Sequence, residues 1–126
     1  MILVDASVIV DYLKSASEQT RKKLIEHDAA ICGLTRAELL CGARTLADIN
    51  KINVALDGFH AIEIPEVIWP LLGENLFRLR SRGIVVPFQD ALLATIAIHY
   101  GMEVWTADAH FPMIQSVLPE LRLFAG

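Results

Sequence analysis

Ile2-Leu3-Val4-Asp5-Ala6-Ser7 opens the chain, three apolar residues running straight into an acid. A short apolar run without alternation is the pattern of a strand buried on both faces. Such a strand needs a layer above and a layer below, and the rest of the chain supplies them on a regular beat. Ser7 to Leu13 reads as a short helix, and Glu18 to Glu26 as a basic, more exposed one. Ala29 to Cys32 is a second strand, closed by Gly33. Thr35-Arg36-Ala37-Glu38 has capping-box spacing and opens an apolar helix through Leu39, Leu40 and Ala43, and Leu46 to Leu56 continues helical. Ala61 to Ile64 is a third strand, stopped by Pro65. The helix from Val67 to Arg82 carries Pro70 near its first turn, where proline is tolerated, and ends at Gly83. Pro87 opens a helix over Gln89 to Tyr100, with Gly101 as its stop. Glu103 to Thr106, Ala109 to Val117 and Leu121 to Phe124 complete the chain as strand, helix and strand.

Strands alternating with helices predict a three-layer α/β/α sandwich around a mainly parallel five-stranded sheet. In such sheets ligands bind beyond the carboxyl ends of the strands, where the strand order reverses. With the common order 3-2-1-4-5, strands 1 and 4 are neighbours at that point. Asp5 ends strand 1 and Asp108 follows strand 4, so the pattern sets these two acids side by side.

The 126 residues suit a single domain over 1–126, large enough to bury roughly two-thirds of its unfolded surface. Hydrophobic residues make up 54%. Counted with glycine, the share exceeds the ~45–50% of an average soluble domain, and such a surplus often marks a protein interface. The net charge of −4 argues against binding nucleic acid through bulk positive charge. Cys32 and Cys41 make no disulfide framework and read as small hydrophobes in a reducing compartment. No apolar run approaches a membrane span, and no signal peptide is legible, so the expected setting is the cytoplasm.

Each notable acid has a structural explanation. Asp5 and Asp108 would cap the helices that follow them, and Asp90 suits the dipole of the helix after Pro87. Glu38 completes a capping box. Their joint placement carries more. Asp5 and Asp108 end strands, whereas Glu38 and Asp90 open helices that turn apolar at once, through Leu39-Leu40 and Ala91-Leu92-Leu93-Ala94. Two carboxylates ~5 Å apart repel by roughly 3 kcal/mol even at an effective dielectric of 20. Four that converge require a cation, or one must take up a proton. An all-carboxylate set selects hard ions, Mg²⁺ or Mn²⁺. Ser7 and Thr106, each two residues from a strand-end acid, would orient those acids or hold waters; a local backbone hydrogen bond is the plainer role. The Asp108-Ala109-His110 spacing would let His110 approach, but no other histidine stands at ligand spacing, and His110 is left outside the set.

Over nearly its whole length the chain resembles the PIN-domain proteins, in particular the VapC-type ribonuclease toxins of type II toxin–antitoxin systems. The pieces that carry the resemblance are Ile2 to Ser7, Thr35 to Ala43, Arg82-Gly83 through Pro87, Asp90 to Ala94, and Thr106-Ala107-Asp108-Ala109-His110-Phe111. Pro87-Phe88-Gln89 departs from the family's usual second proline or acid and leaves Asp90 undisturbed. The resemblance implies a Mg²⁺- or Mn²⁺-dependent endoribonuclease with Asp5, Glu38, Asp90 and Asp108 as catalytic and metal-binding residues, supported by Ser7 and Thr106. It also implies an RNA substrate, a cognate VapB-like antitoxin that inserts a segment into the groove, and a homodimer. With the quartet set aside, the remaining acids balance the 11 basic residues. Arg78, Arg80 and Arg82, and Arg21, Lys22 and Lys23, read as solvated helix faces; Arg36 and Arg44 lie near Glu38, where phosphate contact is plausible. Trp69, Trp105, Phe77 and Phe88 read as core or interface.

Two other functions compete. An aspartyl-phosphate domain would use Asp5 at its strand end, but Ser7 stands where one such fold wants a second acid, and no lysine follows Lys51. A non-catalytic PIN-fold binding module is disfavoured because no acid of the quartet is missing.

Overall fold

The computed structural model describes residues 1–125. Five strands form one sheet: β1 (Ile2–Val4), β2 (Ala29–Cys32), β3 (His60–Ile62), β4 (Glu103–Trp105) and β5 (Arg122–Leu123). All four pairings are parallel, as the alternation predicts, and the order is the common β3-β2-β1-β4-β5. The helices are α1 (Ala6–Ser15), α2 (Glu18–Glu26), α3 (Gly33–Cys41), α4 (Leu46–Leu56), α5 (Ile68–Ser81), α6 (Phe88–Tyr100) and α7 (His110–Val117). None of them is long and apolar enough to cross a membrane.

The uninterrupted apolar strands feed two cores, one on each face. Leu3, Ala30, Cys32 and Val104 point into a cluster with α5, α6 and α7. Ile2, Val4, Ala29 and Ile31 point into the other, with Val8, Ile9, Leu24, Leu39 and Leu56 of α1 to α4. The period of two along each strand thus serves two layers of helices. The helix α6 is buried continuously from Asp90 to Ala97. Each large apolar side chain in it contributes roughly 1.5–3 kcal/mol of burial. It stops where Gly101 turns left-handed at φ +66, with its N–H donating back to Ala97 and Ile98 carbonyls.

The structure corrects one local expectation. Thr35 and Glu38 do not form a capping box, because α3 begins at Gly33, directly from the extended Cys32. Thr35 is buried with Leu39 one turn on, and this pair sets the helix phase. Glu38 is therefore mid-helix, on the exposed side. Smaller differences fall at edges: the outer strands β3 and β5 are shorter than their apolar runs, since an edge strand pairs on one side only. Of the aromatics, Trp105 packs on the second core, whereas Trp69, Phe77 and Phe88 lie on the surface.

Candidate metal centre

The parallel register of β1 and β4 pairs Val4 with Trp105, and the Asp5 N–H extends the ladder by donating to the Trp105 carbonyl at 2.9 Å. Asp5 and Thr106 therefore leave the sheet together. Although Asp5 stands at the N-cap of α1, its side chain caps nothing. Instead Asp5 Oδ2 accepts from Ser7 Oγ at 2.7 Å and Thr106 Oγ1 at 2.8 Å. Each hydroxyl also accepts a backbone N–H, Ser7 from Ala107 at 3.0 Å and Thr106 from Asp108 at 2.9 Å. A hydroxyl has one proton to give. With their acceptor sides engaged, both hydroxyls direct that proton at Asp5.

Asp108 keeps its capping role: its Oδ1 accepts the His110 backbone N–H at 2.9 Å, at the start of α7. Asp90 has no such occupation. It lies in the first turn of α6 and is 7% exposed, and its Oδ2 is buried with no hydrogen-bond partner. Burial, then the carboxylates of Asp108 and Asp5, push its pKa up to about 6, while neighbouring His110 pulls the other way. Glu38, on the rim, is also raised, first by partial burial and then by Asp5 and Asp90. The four predicted acids thus share one electrostatic site at the carboxyl edge of the sheet.

The sequence reading left out His110. Its Nδ1 is 2.8 Å from Asp108 Oδ1 and 3.1 Å from Asp90 Oδ2, and one atom from each of these three side chains lies within 4.8 Å of the others. The available signal was the Asp108 cap, which turns the first residue of α7 back toward the acids. Carboxylates that raise the pKa of Asp90 and Glu38 around a buried, unpartnered oxygen fit a divalent cation, which would supply the missing partner.

The sequence profile of the PIN domain family matches residues 2–115. The chain belongs to the PIN domain family. Ribonuclease VapC11 of Mycobacterium tuberculosis is 26% identical over 125 residues, covering 93% of each chain. Ribonuclease VapC1 of Methanocaldococcus jannaschii is 28% identical over 116 residues, covering 90% of this chain and 81% of that one. Among solved structures, VapBC2 from Rickettsia felis bound to a promoter DNA fragment superposes with a TM-score of 0.86 at 21% identity, over 98% of both chains. DNA-bound VapBC from Salmonella typhimurium gives the same score at 20% identity, again over 98% of both chains.

Three arginines of this PIN domain are already engaged with acids. Arg36 turns from Glu38 to α4, donating to Asn53 at 2.8 Å and meeting Asp57 at 3.4 Å. Arg78 meets Glu120 at 3.2 Å, and Arg21 meets Glu18 at 3.6 Å. A groove of about 660 Å³ runs between α1, α3 and α4, lined by Val10, Leu13, Leu39 and Ile52, with Lys14 and Lys51 beside it and Glu38 among its lining residues.

Proposed function

We propose that this PIN domain is an endoribonuclease that hydrolyses RNA phosphodiesters with a divalent ion, Mg²⁺ or Mn²⁺, held by Asp5, Glu38, Asp90 and Asp108. The observation that carries the reading is the buried, unpartnered Oδ2 of Asp90 among carboxylates that raise its pKa. A chain that used these acids only as caps would gain nothing from such a group, whose burial without a partner costs about 1–3 kcal/mol or more. When bound, the ion supplies a polarised phosphate and an acidified water. Ser7 and Thr106 fix Asp5. Asp108 is fixed from behind by the His110 N–H. Glu38, exposed on the rim with a raised pKa, would complete the carboxylate set from the open side.

The names of the relatives support a toxin role, and the VapBC complexes support an antitoxin partner. The groove between α1, α3 and α4 suits that partner: it is mostly apolar, sets Lys14 and Lys51 against Asp48, and includes Glu38, where a cationic side chain would compete with the metal. The exposed Val67, Trp69, Phe77, Val85 and Phe88 suit a homodimer contact. The setting we propose is the cytoplasm.

The test is cleavage of total cellular RNA by the purified chain, freed of any partner, with Mg²⁺, Mn²⁺ or EDTA. Discrete products that need metal and vanish in Asp90→Asn are expected. Cleavage that survives EDTA or Asp90→Asn would overturn the site.

A further inference from the structure

His110 presents two faces. Its side chain is 40% exposed, yet its Nδ1 is out of contact with solvent and makes no hydrogen bond. The two carboxylate oxygens beside it, at 2.8 and 3.1 Å, lie off the line a hydrogen bond requires. One of them, Asp108 Oδ1, already accepts the backbone N–H of the same histidine. The other, Asp90 Oδ2, is itself without a partner on a side chain nine-tenths buried. A bare imidazole lone pair against two carboxylate oxygens is repulsive, and a proton on Nδ1 is poorly aimed at either. A cation shared by the three atoms removes both faults. The spacings agree with this: adjacent donors about 2.1 Å from an octahedral ion stand about 3.0 Å apart.

We propose that His110 Nδ1 is a ligand of the divalent ion, and that this nitrogen donor makes the site favour Mn²⁺ over Mg²⁺. The inference rests on the carboxylate site proposed above and narrows it. Oxygen donors alone serve Mg²⁺ and Mn²⁺ alike, whereas imidazole is a donor for transition ions and a poor one for Mg²⁺. A site of several carboxylates with a single imidazole keeps the hard character that Mn²⁺ accepts and adds the donor that Mg²⁺ does not reward.

The test is pulsed electron paramagnetic resonance of the full chain loaded with one equivalent of Mn²⁺. A ¹⁴N modulation from one directly bound nitrogen is expected, replaced by the ¹⁵N pattern when the protein is made with ¹⁵N-histidine. In His110→Ala, Mn²⁺ should still bind but without the modulation. Its affinity should fall about tenfold or more, the loss that removing even an outer partner of a metal ligand can cause. Affinity for Mg²⁺, by competition against Mn²⁺, should fall less. Bound Mn²⁺ with no nitrogen coupling in the unmutated protein, or a coupling that persists in His110→Ala, overturns the role of His110 and leaves the carboxylate site standing. No Mn²⁺ binding at all overturns both. The labelled, unmutated protein decides the question even if the variant folds poorly.

Discussion

Thr106 Oγ1 stands 2.8 Å from Asp5 Oδ2, joining two residues 101 positions apart at the ends of neighbouring strands. The same oxygen accepts the Asp108 N–H at 2.9 Å, so one hydroxyl fixes one acid by its side chain and another by its backbone. Thr106→Val keeps the shape and deletes both bonds. It should cost about 1–2 kcal/mol in urea unfolding, the range for two part-buried hydrogen bonds in which a backbone N–H is left unmet. It should also weaken Mn²⁺ binding measured by calorimetry. Thr106→Ser keeps the hydroxyl and should recover most of both. A valine variant with unchanged stability and affinity would mean that Ser7 alone orients Asp5.

Asp90 makes the metal-free protein sensitive to pH in a direction opposite to that of a salt-bridged acid. Its folded pKa of about 6 lies above the ordinary 3.8, so between these values the folded state holds a proton that the unfolded chain has released. Stability should fall as pH rises from about 4 to 6 and stay reduced above that. After discounting for solvent at the open cleft, the loss is about 1–2 kcal/mol. Thermal melts in EDTA across pH 4 to 8 would show it. Asp90→Asn should flatten the curve and raise stability at pH 7, while cutting metal-dependent cleavage at least ~100-fold. Added Mn²⁺ should stabilise the unmutated protein more at pH 7 than at pH 5, since the ion competes with the proton. A metal-free protein that gains stability through this window would contradict the environment assigned to Asp90.

The parallel sheet, and with the common strand order the pairing of Asp5 with Asp108, were legible in the sequence; Glu38 and Asp90 joined them only through the resemblance to the PIN-domain family. Short two-face strands such as Ile2-Leu3-Val4 need helices on both sides, and right-handed crossovers leave few strand orders. His110 was not legible as a site residue. Its approach depends on Asp108 folding back onto the first N–H of α7, a bond between neighbours whose effect on an imbalanced carboxylate across the cleft has no periodicity. Glu38 was legible as a site residue only through the resemblance, because its local spacing suggested a cap instead. The Thr35-Glu38 spacing imitates a capping box, but the helix starts three residues earlier, with Cys32 at its N-cap and Thr35 buried, and Glu38 reaches the rim from mid-helix.

Trp69, Gly73 and Phe77 recur every fourth residue on α5 and share one stripe of the helix. Phe77 is 70% exposed, and a side-chain carbon placed on Gly73 would touch nothing. Two large aromatics flanking a glycine leave a notch into which a second helix can settle. If this stripe forms the homodimer contact proposed above, Phe77→Glu should convert that dimer to a monomer in light scattering at micromolar concentration, with the melting temperature of the isolated fold little changed. A wild-type chain that is monomeric at high concentration would remove this stripe from consideration as a self-contact.

Ala16 ends α1 in the left-handed region, φ 49 and ψ 38, with its N–H donating to the Tyr12 carbonyl at 2.8 Å. An L-residue with a β-carbon pays about 1 kcal/mol or more to sit there, whereas glycine does not. Glycine also loses more freedom on folding, which returns part of the gain. Ala16→Gly should therefore stabilise the protein by about 0.5–1 kcal/mol, read as a rise of a few degrees in melting temperature. Asp28 is the other non-glycine residue with positive φ, at 50. Aspartate tolerates that region better than alanine, so Asp28→Gly should gain less. The order of the two effects is the informative result. If Asp28→Gly gained more than Ala16→Gly, the aspartate would not be tolerating the left-handed region better than the alanine does.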